Sequence, residues 1–180
     1  MGNRAMYAAL APLFAYPGPD LPALAQSCYE QALSCQSAAV SELAAFAATT
    51  AALSRSRLEE IYSATFDLSD ACCPYLGYHL FGGSPKRALL MVNLKEAYRE
   101  VGIEVGRELP DHLCLLLGYL AQSPDEDLAE DLRDIVLVPG LAKIAEALAD
   151  SQNPYGSLLR GALLSLRSGQ PVTAGGGQDA

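Results

Sequence analysis

The run Glu108-Leu109-Pro110-Asp111-His112 puts two carboxylates and an imidazole within five residues. These are the groups of general acid–base chemistry, and a histidine beside a carboxylate can change charge near neutral pH. The same residues have an ordinary structural use. Asp111 can cap a following helix, Glu108 is favourable near a helix N-terminus, and His112 can cover the first turn. A second group is aromatic. Tyr62, Phe66, Tyr75, Tyr78 and Phe81 are five of the thirteen Tyr and Phe residues of the chain. They either fill a core or line a groove for a peptide, since rings supply large contact area at low entropy cost.

Other chemistry has no signature here. There is no nucleophile elbow, HExxH, calcium loop, P-loop or dinucleotide fingerprint, and Gly82-Gly83-Ser84 reads as a turn. Asp125, Glu126 and Asp127 open an acid-rich stretch with polar neighbours, which reads as a solvated helix face. Five cysteines (Cys28, Cys35, Cys72, Cys73, Cys114) make an odd count without a CxxC pair, and His79 and His112 show no ligand spacing. No disulfide framework, metal site, cofactor site or catalytic residue is expected; free, mostly buried thiols in a reducing cytoplasm are.

Helical spacing recurs almost everywhere. Asp20 precedes a stripe of Leu21, Leu24, Ala25, Cys28 and Ala32. Val40, Leu43, Ala44 and Ala47 form the next, and Ser56 with Glu59 reads as a capping box. Ser84-Pro85 opens a helix that Gly102 closes. Asp111 is expected to cap His112–Gln122, a helix apolar on every side and so central to a bundle. Ser123-Pro124 starts another, Pro139-Gly140 a further one, and Asn153-Pro154 the last. The expected fold is all-α: a single globular bundle of about nine or ten short helices over residues 1–167, with a disordered tail at 168–180. Two connections, 67–73 and 102–110, are longer than packing needs and are marked as functional candidates.

The chain has 180 residues, 51% of them hydrophobic, with 12 basic and 21 acidic side chains and a net charge of −9. That balance excludes nucleic acid and anionic lipid as main partners and permits a basic one. Residues 122–150 hold eight acids and two bases, six of the nine excess charges. The N-terminal stretch lacks the pattern of a secretory signal and reads as a first helix; no apolar run is long enough to insert in a membrane.

The segments Glu60–Leu68 (EIYSATFDL), Tyr75–Gly82 (YLGYHLFG), Leu89–Gly102 (LLMVNLKEAYREVG) and Arg107–Leu113 (RELPDHL) resemble the NarJ/TorD family of molybdoenzyme assembly chaperones, in particular its NarJ (nitrate reductase delta subunit) branch. The resemblance covers residues 55–166 well and the first 50 more loosely. Ala88 after Arg87 and Cys114 after the ELPDHL run depart from the branch's usual residues. The resemblance implies a cytoplasmic, all-helical binding protein and not an enzyme. Its client is the catalytic subunit of a molybdenum oxidoreductase, held by an N-terminal leader during cofactor insertion. A respiratory nitrate reductase is the implied client. Selenate, chlorate or DMSO-type reductases and ethylbenzene dehydrogenase are the alternatives, and a small enzyme acting at Glu108, Asp111 and His112 is a remote one. The family's motif positions fall on Tyr62, Phe66, Arg87, Glu108, Pro110, Asp111 and His112. A client groove is expected there and at Tyr75 and Tyr78, with Asp125, Glu126 and Asp127 attracting the basic end of the leader. Monomer or domain-swapped dimer is the implied state.

Overall fold

The computed structural model describes residues 2–149 and 151–168. All but the first residue of the tail expected at 168–180 lies outside the described residues. Ten α-helical segments follow one another among those described: α1 Gly2–Leu10, α2 Leu21–Ser34, α3 Val40–Ala52, α4 Arg55–Tyr62, α5 Leu76–Phe81, α6 Pro85–Glu100, α7 Leu113–Gln122, α8 Glu126–Asp131, α9 Val138–Ala147 and α10 Pro154–Arg167. The all-α expectation holds.

α7 carries Leu113, Leu116, Leu117, Tyr119 and Leu120 into the interior. It packs on α1, on the short 3₁₀ turn Ala11–Phe14 and on the segment after α8. α2 and α3 pair, α10 lies across α3 and α9, and α5 packs between α9 and α6. One continuous core links these contacts, from Leu10, Phe14 and Phe46 to Leu141, Tyr155 and Leu158. None of the described helices is long and apolar enough to cross a membrane.

Helix starts fall one or two residues from several expected places. The cap of α4 is Ser54, whose hydroxyl accepts from the Arg57 amide at 3.3 Å, and not Ser56. The cap of α8 is Asp125, which accepts from Leu128 N–H at 2.9 Å; Ser123 sits behind it, bonded to the Asp125 backbone. The expected break at Pro139-Gly140 does not occur. α8 runs through a widened π-type turn, Leu132–Leu137, straight into α9. Pro139 lies in the first turn of α9, where its missing N–H costs little. A second widened turn, Ser63–Asp67, extends α4 and closes with Leu68 N–H donating to Ser63 C=O at 3.0 Å. Such turns often sit beside functional sites, and this one carries Phe66 and Asp67.

The connection after α6 is pinned at both ends. Ile103 N–H returns to Tyr98 C=O at 2.9 Å, across Gly102 in a left-handed conformation (φ 75°). The Tyr98 hydroxyl, fully buried, donates to Pro110 C=O at 2.8 Å. Tyr98→Phe leaves that carbonyl without its donor. Denaturant unfolding should show a loss of about 1–2 kcal/mol; a stability equal to wild type would show that the loop end is held by other contacts.

Candidate functional site

Two chain segments far apart in sequence are stitched together at the site. Leu76 N–H donates to Asp111 C=O at 2.9 Å, and Leu113 N–H donates to Pro74 C=O at 2.8 Å. This antiparallel bridge sets Tyr75 opposite His112, with ring centroids 5.4 Å apart, edge to face. The Tyr75 hydroxyl then donates to Glu108 Oε2 at 2.7 Å.

Asp111 does not cap α7. Its side chain is completely buried and accepts from Arg87 Nε at 2.8 Å and Arg87 Nη2 at 3.3 Å. A buried carboxylate needs such a partner more than an exposed helix end needs a cap. The Arg87 guanidinium also lies over the Tyr78 ring, 5.5 Å from its centre. Gly77 makes room for the pair: a Cβ there would stand 2.6 Å from Asp111 Oδ2. His112 takes the capping role that Asp111 leaves. Its Nδ1 accepts from Cys114 N–H at 3.1 Å. That bond requires a bare Nδ1, so the proton of the neutral ring is on Nε2.

Above this frame opens a cavity of about 500 Å³ lined by Tyr16, Tyr62, Phe66, Asp67, Asp70, Cys73, Pro74, Tyr75, Tyr78, Arg87, Glu108, Leu109 and His112. Its floor is Tyr62, Phe66 and His112, all nearly inaccessible. Its rim is exposed: Tyr16, Asp67, Asp70, Tyr78, Glu108 and Leu109. The two readings of the aromatic group are both realised. Tyr62 and Phe66 belong to the core, stacked with Tyr155 and each other, yet they also face the cavity. The Tyr62 hydroxyl donates to Phe14 C=O at 3.0 Å, which brings the 3₁₀ turn and Tyr16 alongside.

Seven of the residues singled out in the sequence thus meet at one cavity: Tyr62, Phe66, Tyr75, Tyr78, Arg87, Glu108 and His112. Pro110 and Asp111 lie buried beneath it and position the others. Phe81, half-buried, is not part of the lining. Asp125, Glu126 and Asp127 are exposed on the first turn of α8 and do not line it either; Glu126 reaches Arg4 at 3.5 Å. The lining adds Tyr16, Asp67, Asp70, Cys73, Pro74 and Leu109. Asp67, Asp70 and Cys73 fall within the long connection 67–73, and Leu109 in the other; Tyr16 had no sequence signal.

Three carboxylates face the cavity, and its one basic side chain, Arg87, is committed to Asp111. Burial and the Glu108 carboxylate push the Tyr75 phenol up, and burial does the same to Tyr62, so both stay protonated. Burial also raises the thiols of Cys73 and Cys114, and pushes Cys28 up to about 12. Cys28 and Cys72 are buried, Cys73 and Cys114 half-buried and Cys35 exposed, all as free thiols. Among the described residues no group of three or more His, Cys, Asp or Glu side chains could hold a metal.

The helical arrangement shares its fold with the crystal structure of a protein from Archaeoglobus fulgidus described as a putative redox enzyme maturation protein, with a TM-score of 0.59, 20% identity, and 93% of this chain and 94% of that chain covered. The sequence model of the nitrate reductase delta subunit matches residues 32–159, and the chain belongs to that family. It is 40% identical over 98 residues to the nitrate reductase molybdenum cofactor assembly chaperone NarJ of Escherichia coli K12, covering 54% of this chain and 41% of that protein. It is 35% identical over 102 residues to the probable chaperone NarW of the same strain, covering 56% and 43%. The match thus spans about two fifths of the length of these relatives. A probable NarJ chaperone of Bacillus subtilis is 28% identical over 170 residues, covering 90% and 88%.

Burial holds the His112 imidazole below its usual value, against the opposing pull of Glu108, Asp111 and Asp67. The unfolded chain takes up a proton there near pH 6.5, while the folded chain does so only at lower pH. This contribution to stability is complete above pH 6.5 and is lost as pH falls toward the folded value. His112→Asn keeps a capping oxygen and removes the titration. In denaturant unfolding between pH 8 and pH 5, wild type should lose more stability than His112→Asn; equal losses would show that His112 is not held neutral by the fold.

Proposed function

We propose that the chain is an assembly chaperone for the catalytic subunit of a molybdenum-dependent nitrate reductase. The cavity holds an N-terminal segment of that subunit while its cofactor is inserted. The observation that carries this reading is the cavity itself: an aromatic floor, an exposed apolar rim and an excess of carboxylates, with seven of its lining residues among those singled out in the sequence. An amphipathic segment with basic residues fits it. The apolar face meets Tyr16, Tyr78 and Leu109, and the basic residues meet Asp67 and Asp70. The names of the relatives, all nitrate reductase chaperones, favour nitrate reductase over the other molybdoenzyme clients.

Binding fits the geometry better than turnover. Asp111 is sealed in its pair with Arg87, and His112 Nδ1 is used by the helix cap, so neither serves as an accessible base. The acidic start of α8 has a separate role in this reading. Asp125, Glu126 and Asp127 are part of the long-range field that speeds encounter with a basic segment, without touching it once bound. The chaperone acts in the cytoplasm, where the molybdenum subunit is assembled.

Calorimetry with a synthetic peptide of the catalytic subunit's N-terminal segment tests this. Tyr78→Ala and Leu109→Ala change exposed side chains and should leave folding intact while weakening binding about tenfold or more. Affinities equal to wild type in both would place the peptide elsewhere. Asp67→Asn with Asp70→Asn should flatten the salt dependence of the affinity more than Asp125→Asn with Asp127→Asn. The opposite order would move the contact site to α8.

A further inference from the structure

The floor of the cavity holds one polar group that the fold leaves unmet. His112 is 3% exposed. Its Nδ1 is taken by the Cys114 amide, so Nε2 carries a proton and faces the cavity. The polar atom recorded opposite it is Glu108 Oε2, at 4.0 Å. That is beyond hydrogen-bonding distance for a neutral ring. Glu108 is itself fixed by the Tyr75 hydroxyl. A donor on the floor and an acceptor on the rim therefore stand 4.0 Å apart.

We infer that the Glu108–His112 pair is a subsite for a hydroxyl side chain, serine or threonine, of the bound client segment. The inference rests on the binding reading above and names what the site selects. The gap decides the chemistry. One oxygen about 2.8 Å from each atom spans 4.0 Å at an angle of about 90°, near the lone-pair and O–H directions of an sp³ oxygen. It accepts from His112 Nε2–H and donates to Glu108. An ammonium or guanidinium has no acceptor and leaves the buried His112 donor unmet. A carboxylate has no donor and meets Glu108 as a like charge. A carboxamide carries both functions on two separate atoms and meets the pair only as a two-atom fork, which the peptide controls below distinguish from a hydroxyl. Main-chain amides inside a client helix are already paired with each other. The basic residues of the client remain at the rim, with Asp67 and Asp70. The cavity thus selects a segment with a hydroxyl residue near a basic one.

The chain has two histidines, so the imidazole ¹H–¹⁵N spectrum is readable, and His79→Gln assigns the remaining signals to His112. The free protein should show His112 as the neutral Nε2–H form. Saturation with the synthetic N-terminal peptide of the catalytic subunit should move that proton downfield. A peptide with every Ser changed to Ala and every Thr to Val should bind about tenfold more weakly and leave the signal where the free protein has it. The same downfield shift with the hydroxyl-free peptide overturns the inference. So does a shift that disappears only when Asn and Gln are replaced, or tight binding with no change at His112; in all three cases the binding reading stands. A wild-type peptide that does not bind at all overturns both.

Discussion

A buried carboxylate and the guanidinium that neutralises it hold the site together. Asp111 has no exposed surface, and removing one partner of such a pair costs about 3–5 kcal/mol. Its needs reach in several directions. Arg87 must come from α6, and Gly77 must lack a side chain so that α5 can pass close to the carboxylate. The main chain of Asp111 must pair with Leu76. With Asp111 spent in this way, His112 becomes the cap of the central helix and is fixed as one tautomer. The Arg87 stack on Tyr78 and the Tyr75–Glu108 bond then shape the cavity walls. One electrostatic requirement thus fixes the relative positions of α5, α6 and the start of α7.

The cavity divides by depth. Its floor belongs to the core, where Tyr62 and Phe66 pack with Tyr155 and give rigidity. Its rim belongs to the connections, where Asp67, Asp70 and Leu109 are exposed and Glu108 is held by the Tyr75 hydroxyl. Rigid floor and exposed rim suit a protein that holds a segment of another chain. The widened turn at Ser63–Asp67 joins the two levels, since it carries Phe66 down and Asp67 out.

Much of this was legible in the sequence. Amphipathic spacing and Pro-led helix starts place nearly every helix, and the uniformly apolar α7 is central because it has no face to expose. The resemblance segments and the motif position at Arg87 together point to seven of the residues lining the cavity. The failures are local competitions. Where several cap-capable residues crowd a helix start, as at Ser54 and Ser56 or Asp111 and His112, the tertiary partner decides. Asp111 is drawn away by Arg87, whose proximity depends on the fold. Pro139 reads as a break, yet it stands in the first turn of α9 and the chain continues helically from the widened turn before it. Tyr16 joins the site only because the Tyr62 hydroxyl reaches Phe14, a contact that no local pattern encodes. The charge count directed attention to 122–150, where acids are densest. The acids at the cavity are few, and three-dimensional placement rather than number sets them beside the aromatic floor.

The central claim is that this cavity, and no other face, holds the client. Backbone amide shifts of the ¹⁵N-labelled full chain, followed while the catalytic subunit's N-terminal peptide is titrated in, test it most directly. The account predicts that the largest shifts cluster at Tyr16, Asp67 to Tyr78 and Glu108 to Cys114, with small ones on α8. Shifts concentrated on α8 or α3, with the cavity residues unmoved, would contradict it.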